Sequence, residues 1–93
     1  MSRPSLDMFV GQRVVLDTAS PLIYIGMLEA HDERGYWLTD ADMHDRNEGH
    51  STKEEYVSES RELERADAPR TNRRRVFVDR QAVISISALE DIV

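Results

Sequence analysis

The chain has 93 residues, no cysteine and a formal net charge of −6, with 40% hydrophobic and 32% charged residues. This length predicts a single domain over residues 1–93, and the lack of cysteine excludes disulfides, thiolate metal sites and cysteine nucleophiles. The apolar runs are too short to cross a membrane, and the first residues lack the apolar core of a signal peptide. We therefore expect a cytoplasmic protein with no membrane partner.

The charge is unevenly distributed along the chain. Its overall acidity argues against a protein that binds nucleic acid over its whole surface, because like charges would repel the phosphates. Positive charge is concentrated late, in Arg73, Arg74, Arg75 and Arg80. A local basic site remains compatible with this distribution.

Residues 4–10 predict one short N-terminal helix. Ser5 is suited to its N-cap, Leu6 and Phe9 fall on one face, and Gly11 ends it.

Five runs of alternating or β-branched residues predict strands, at 13–18, 22–31, 36–44, 73–79 and 83–88. Gly26 lies inside the second run and predicts a bend or bulge there. Residues 32–35 have the composition of a tight turn, and residues 80–82 leave room only for a tight connection.

The third strand carries two sets of side chains. Regular alternation would place Trp37, Thr39, Ala41 and Met43 on one face, and Tyr36, Leu38, Asp40, Asp42 and His44 on the other. Asp40, Asp42 and His44 could then share a metal ion, but the polar outer face of a half-buried strand explains the same pattern. Nothing in the sequence has the order of a catalytic triad, a phosphate-binding glycine loop or a catalytic carboxylate pair. We expect a protein that is not an enzyme and has no cofactor, with metal binding a distant third hypothesis.

Residues 46–71 form a polar insertion between the third and fourth strands, longer than an ordinary hairpin loop. Residues 51–55 contain two overlapping capping boxes, and Tyr56, Val57 and Leu63 form a weak apolar stripe. Two interpretations remain open: a marginal helix or a disordered segment.

The order of elements predicts a mostly β fold. An N-terminal helix followed by five short antiparallel strands, with a glycine bend, makes a strongly bent sheet or small open barrel. Such a sheet has two edges, which proteins either protect or pair with another chain. A repeated edge contact between copies must close into a ring or extend into a filament.

Two blocks of the sequence resemble the Sm and Sm-like (LSm) family. Residues 26–32 (GMLEAHD) followed by 38–41 (LTDA) are similar to the first Sm motif, and residues 76–86 (VFVDRQAVISI) to the second. The resemblance implies a homo-oligomeric ring of six or seven copies. It also implies that the loops between strands two and three and between strands four and five bind U-rich single-stranded RNA at the pore.

The resemblance indicates an RNA-binding set of His31, Asp32, Arg34, Tyr36 and Arg80. His31 falls where the family often has a stacking residue, and Asp32 matches the motif aspartate. The family's asparagine is missing, with Gly35 or Tyr36 in its place, and Asp79-Arg80 stands where the family has Arg-Gly.

Two functional hypotheses follow from the resemblance and its departures. The first is a ring that binds single-stranded RNA at its pore loops. The alternative is a structural or protein-interaction ring that has lost the uridine pocket and binds protein partners through residues 46–71.

Overall fold

The computed structural model describes residues 5–48 and 51–93. Its strands are β1 (Arg13–Thr18), β2 (Leu22–His31), β3 (Gly35–Asp45), β4 (Arg73–Asp79) and β5 (Val83–Ala88). They form one antiparallel sheet in the order β4-β3-β2-β1-β5. The five predicted strands and the antiparallel sheet are confirmed, and β4 and β5 lie at its two ends.

The helices differ from the prediction. In place of an N-terminal helix over 4–10 there is one 3-10 turn, Leu6–Phe9, while residue 4 lies outside the described range. Ser5 caps this turn by accepting a hydrogen bond from the Asp7 amide at 3.1 Å. After the turn the chain changes direction at Gly11, which has a φ of +85°. A segment this short forms few helical hydrogen bonds relative to the number of residues that must be ordered. A 3-10 turn therefore replaces the α-helix.

The α-helix that the described residues contain, α1 (Lys53–Arg65), lies instead in the insertion. Thr52 accepts a hydrogen bond from the Glu55 amide at 3.1 Å, and its hydroxyl lies 3.2 Å from the Glu55 carboxylate. The first contact is the N-cap of the predicted box at Thr52, while Glu55 accepts from the Thr52 hydroxyl instead of from the Thr52 backbone amide. Tyr56 and Val57 are buried against the sheet, so tertiary packing stabilises a helix that its own propensity leaves marginal. No helix in residues 5–48 or 51–93 is long and apolar enough to span a membrane.

The core has two parts, one on each face of the bent sheet. The first lies inside the bend and is joined by Leu6 and Phe9 of the 3-10 turn. It consists of Val14, Leu16, Leu28, Tyr36, Leu38, Ala41 and Val78. The second lies under α1 and consists of Val15, Ile23, Ile25, Tyr56, Val57 and Leu89. Adjacent β1 residues point to opposite faces, so Val14 and Leu16 enter the first part while Val15 enters the second.

The bend is centred on Gly26 and Asp40. The pairing of β2 with β3 shifts register there, and Asp40 has a φ of +47°. A Cβ on Gly26 would lie only 2.9 Å from the Ala41 Cβ, so glycine allows the two strands to approach.

The irregularity at Asp40 overturns the predicted alternation along β3. Leu38 and Ala41 both enter the first core part, whereas Asp42 and His44 contact Tyr56 on the other face. Asp40 is exposed and does not join them. The arrangement of Asp40, Asp42 and His44 behind the metal hypothesis is therefore wrong, and the described ranges contain no cluster of three or more potential ligands.

Candidate nucleic-acid interface

Two loops lie side by side at one end of the sheet. They are the β2–β3 turn, residues 32–34, and the 3-10 turn Arg80–Ala82 between β4 and β5. Gly35 pairs with Asp79, and the Arg80 amide donates a hydrogen bond to the Arg34 carbonyl at 2.9 Å. This contact places Arg34 and Arg80 next to each other, although they are 46 residues apart in sequence.

Gly35 makes this approach possible. A Cβ at this position would collide with the Val78 carbonyl oxygen and would lie 2.8 Å from the Phe77 ring. Gly35 is one of the two residues that can stand in place of the missing asparagine. A side chain there would push β4 away from β3, so here the backbone fit requires glycine.

Two aspartates shape the loops through their side chains. Asp32 Oδ1 accepts hydrogen bonds from the amides of Arg34 at 2.7 Å and Gly35 at 3.2 Å, which closes the β2–β3 turn. Asp79 Oδ1 accepts from the Gln81 amide at 2.8 Å and caps the 3-10 turn. Each carboxylate thus has a structural role in addition to its charge.

His31 connects the loops to the N-terminal turn. Its Nε2 lies 2.8 Å from Asp7 Oδ1. This contact orients the imidazole at the end of β2, next to the two loops. Asp7 is a member of the site that the sequence patterns did not indicate, because the partners are 24 residues apart and belong to different elements.

Arg34 and Arg80 are the cationic groups of the loops. Both are exposed, and neither guanidinium makes a hydrogen bond or ion pair with any residue in the described part of the chain. Guanidinium groups bind phosphates and base edges through several N–H donors at once. The two arginines are therefore available to an anionic ligand.

Tyr36, the remaining predicted site residue, has a different environment. It is only 8% exposed and packs in the first core part with Leu38 and Val78. The structure thus brings Asp32, Arg34 and Arg80 together at the surface with the partly buried His31 beside them, and it places the Tyr36 ring in the core.

An aromatic surface lies at the β4 edge. The rings of Trp37 and Phe77 are 5.0 Å apart, and the Arg75 guanidinium lies 4.4 Å from the Trp37 ring centre. Arg75 also donates to Glu29 at 2.9 Å. Phe77 is 37% exposed at this edge, and Ile84 on β5 at the opposite edge is 64% exposed.

The bent five-stranded sheet, the short N-terminal turn and the adjoining β2–β3 and β4–β5 loops define an Sm-like fold. Comparison with solved structures supports this assignment. A Pyrococcus abyssii Sm protein, solved in complex with a uridine heptamer, aligns with a TM-score of 0.60 at 16% identity, covering 94% of this chain and 99% of that one. A chain from the crystal structure of the NatC complex bound to CoA aligns with a TM-score of 0.59 at 20% identity, covering 95% and 88%.

Sequence comparison adds no closer relationship. No family model matches the chain, and no curated protein matches it. At these identities the structural likeness shows the fold alone.

Proposed function

We propose that this protein is an Sm-like module that binds single-stranded RNA at the adjoining loops, residues 31–35 and 79–82, and assembles into a closed ring. The observation that carries the proposal is that Arg34 and Arg80, whose guanidinium groups are exposed and unengaged within the described residues, are joined by a hydrogen bond between their backbones. The uridine complex of the similar Pyrococcus protein supports RNA as the ligand. The proposal is a binding function without a catalytic step.

The contacts follow from the chemistry of each group. Arg34 and Arg80 bind phosphate oxygens, and the His31 imidazole stacks on a base. Asp32 uses Oδ1 for the turn, which leaves Oδ2 to accept a hydrogen bond from a base N–H, as the N3–H of uracil would offer. Tyr36 is left out of the proposed contacts because its ring is covered by the core.

Ring assembly is supported by the two edges of the sheet. Within the described residues, β4 pairs only with β3, and β5 only with β1. Each edge has an exposed apolar side chain, Phe77 or Ile84. Pairing β4 of one copy with β5 of the next would satisfy both edges and bury both side chains, and closure gives the six or seven copies that the family resemblance implies.

The RNA test uses fluorescence anisotropy with U-rich and A-rich oligonucleotides at low and physiological salt. The double variant Arg34→Ala, Arg80→Ala should weaken U-rich binding by at least about tenfold, because charge-assisted hydrogen bonds contribute about 1.5–3 kcal/mol each. It should also reduce the slope of log affinity against log salt by about 1.4, since each lost phosphate contact in a single strand contributes about 0.7.

Arg46→Ala is the matched control, since Arg46 is exposed and far from both loops in sequence. It should leave affinity and salt slope unchanged. Equal binding by the double variant and the wild type would refute the loop site.

The assembly test measures solution mass by light scattering. Ile84→Asp should convert the assembled species to a smaller one, because a carboxylate would be buried at the paired edge. Met8→Asp, at a residue 56% exposed on the N-terminal turn, should keep the wild-type mass. An unchanged mass for Ile84→Asp would exclude pairing at this edge.

A second candidate function is a protein-interaction ring without RNA. Asp79, which stands in the loop where a cation is expected, favours it because a carboxylate repels phosphate. The likeness to a chain of the NatC complex also favours it. Because α1 buries its apolar residues on its own sheet, a protein partner of residues 46–71 would meet the exposed acidic face of α1, formed by Glu54, Glu55, Glu59 and Glu62. Absence of RNA binding together with a retained ring mass would support this candidate.

A further inference from the structure

A cavity of about 430 Å³ lies between the C-terminal half of α1, the start of β1 and the segment after β5. Its charged lining consists of Arg13, Arg61, Arg65, Glu64 and Glu90, and Leu89 of the second core part lies behind it. Its volume is within the range of small-molecule sites. It shares no residue with the two loops of the proposed RNA interface.

Arg13 forms a fixed side of this cavity. Its Nε lies 3.1 and 3.2 Å from the two Glu64 carboxylate oxygens, and it also donates to the Asp40 carbonyl. Both side chains of the Arg13–Glu64 pair are largely buried. The charge of Glu64 is thereby neutralised within the wall.

Arg61 is the lining residue of this cavity that has an unsatisfied buried donor. Its Nε is buried and has no hydrogen-bond partner in the described ranges. The i,i+3 partner that the helix would offer, Glu64, is already bound by Arg13. A buried donor without an acceptor lowers stability unless a ligand or an ordered water supplies the acceptor.

Arg65 adds a second cation at the rim. It is exposed and bonds Glu62 at 2.9 Å, an ion pair that solvent screens and that an incoming anion can replace. The charged residues of the cavity lining sum to +1, in a chain of net charge −6, and Glu62, the partner of Arg65, lies outside that lining.

We propose that this cavity binds a phosphate monoester carried on a small organic group. Arg61 and Arg65 donate to the phosphate, and the organic group occupies the rest of the cavity. Two guanidinium groups match a phosphate monoester, which carries about −1.5 to −2 charges at neutral pH, better than they match a single carboxylate. The phosphate can come from a free mononucleotide or from the terminal phosphate of an oligonucleotide.

The test measures thermal unfolding and calorimetric titration with uridine monophosphate, inorganic phosphate and uridine. Uridine monophosphate should raise the melting temperature with concentration because it binds the folded state, inorganic phosphate should do so more weakly, and uridine should have no effect. Arg61→Met should weaken uridine monophosphate binding at least tenfold. Without ligand it should melt at the same or a higher temperature than the wild type, because it removes an unpaired buried donor.

Three further variants show which residues bind the phosphate. Arg46→Met should bind as the wild type does, and Arg65→Met should weaken binding even if Arg61→Met fails to fold. The loop variant Arg34→Ala, Arg80→Ala should retain the effect of uridine monophosphate, so that failure of the RNA site and failure of this site can be told apart.

Two oligonucleotides of one sequence, with a 5′-phosphate or a 5′-hydroxyl, distinguish the sources of the phosphate. Stronger, Arg61-dependent binding of the phosphorylated strand would assign the site to an RNA end, and equal binding would assign it to a free monoester. Absence of stabilisation by uridine monophosphate and by the phosphorylated strand would overturn the proposal. A lower melting temperature for Arg61→Met with an undiminished ligand effect would also overturn it.

Discussion

Replacing Tyr56 with phenylalanine should markedly destabilise the protein. Tyr56 is 1% exposed, and its hydroxyl donates a 2.5 Å hydrogen bond to Oδ2 of Asp42, which is 9% exposed. The ring stacks on His44 with centroids 4.3 Å apart, and the Arg70 guanidinium lies 5.7 Å from it. Phenylalanine keeps both of these ring contacts, so the substitution removes the hydroxyl alone.

The expected loss of stability depends on Asp42, the hydrogen-bond partner that remains after the substitution. A hydrogen bond to a charged group contributes about 1.5–3 kcal/mol, and the upper half of this range applies because Asp42 would stay buried without its donor. We therefore expect Tyr56→Phe to lower the free energy of unfolding by about 2–3 kcal/mol. With a urea m-value of about 1–1.5 kcal/mol/M for so small a protein, the unfolding midpoint should fall by more than about 1 M.

The same hydrogen bond predicts a dependence on alkaline pH. Burial, and then the hydrogen bond to Asp42, raise the pKa of Tyr56 far above its ordinary value of 10.0. Above about pH 10 the unfolded chain loses the phenolic proton of Tyr56 while the folded protein keeps it. The free energy of unfolding therefore falls as the pH rises. The loss approaches about 1.4 kcal/mol per pH unit for this single group. Tyr56→Phe should lack this contribution, so its deficit relative to the wild type should shrink above pH 10.

Tyr24→Phe is the matched control. Tyr24 is half-buried, and the described residues give its hydroxyl no hydrogen bond. This variant should unfold near the wild-type urea midpoint at pH 7. Equal midpoints for Tyr56→Phe and the wild type, or an unchanged difference between pH 8 and pH 11, would contradict the assigned role of the Tyr56 hydroxyl.

Three shorter predictions test other parts of the structure. Gly35→Ala should cost about 2 kcal/mol or more by overpacking against Val78, measured by urea unfolding. Gly11→Ala, where an added Cβ meets no atom within 4 Å, should cost only the strain of its positive φ. Thr52→Ala should cost about 1 kcal/mol by removing the cap of α1, and Thr52→Ser should restore it; an unaffected Thr52→Ala midpoint would rule out the cap. Asp79→Asn keeps an acceptor for the turn but removes the charge, so it should raise RNA affinity in anisotropy without lowering stability, and unchanged affinity would exclude the electrostatic effect.

The strands could be predicted because their signal is local. The strands β1, β2 and β3 each bury at least one face, so alternation over a few residues marks both position and orientation, as Val14, Val15 and Leu16 show in β1. Gly26 likewise marked the bend, because glycine weakens a strand interior and is retained there mainly where the backbone bends or another strand approaches closely.

The helix could not be located with the same certainty because its stability is tertiary. The insertion buries only Tyr56, Val57 and Ser60 of α1, a pattern too sparse to separate a helix from a disordered segment. Besides the local pair of Arg65 with Glu62, two of its ion pairs are non-local: Lys53 bonds Asp17 at 2.6 Å, and Glu64 bonds Arg13 instead of its helical neighbour Arg61. Only the folded sheet supplies these partners.

The two loops of the candidate site also depend on contacts that the sequence does not reveal. Sequence reasoning placed His31, Asp32, Arg34 and Arg80 near one another, but it interpreted Asp79 only as a charge that repels phosphate. In the structure Asp79 also caps the turn that contains Arg80, and the Arg80 amide in turn bonds the Arg34 carbonyl. The residue that weakens the electrostatics of the loop therefore also shapes the backbone turn that carries Arg80. A sequence pattern cannot say whether the repulsion of phosphate or the capping of the turn by Asp79 matters more. Their balance depends on which Asp79 oxygen the backbone engages and which one faces the ligand.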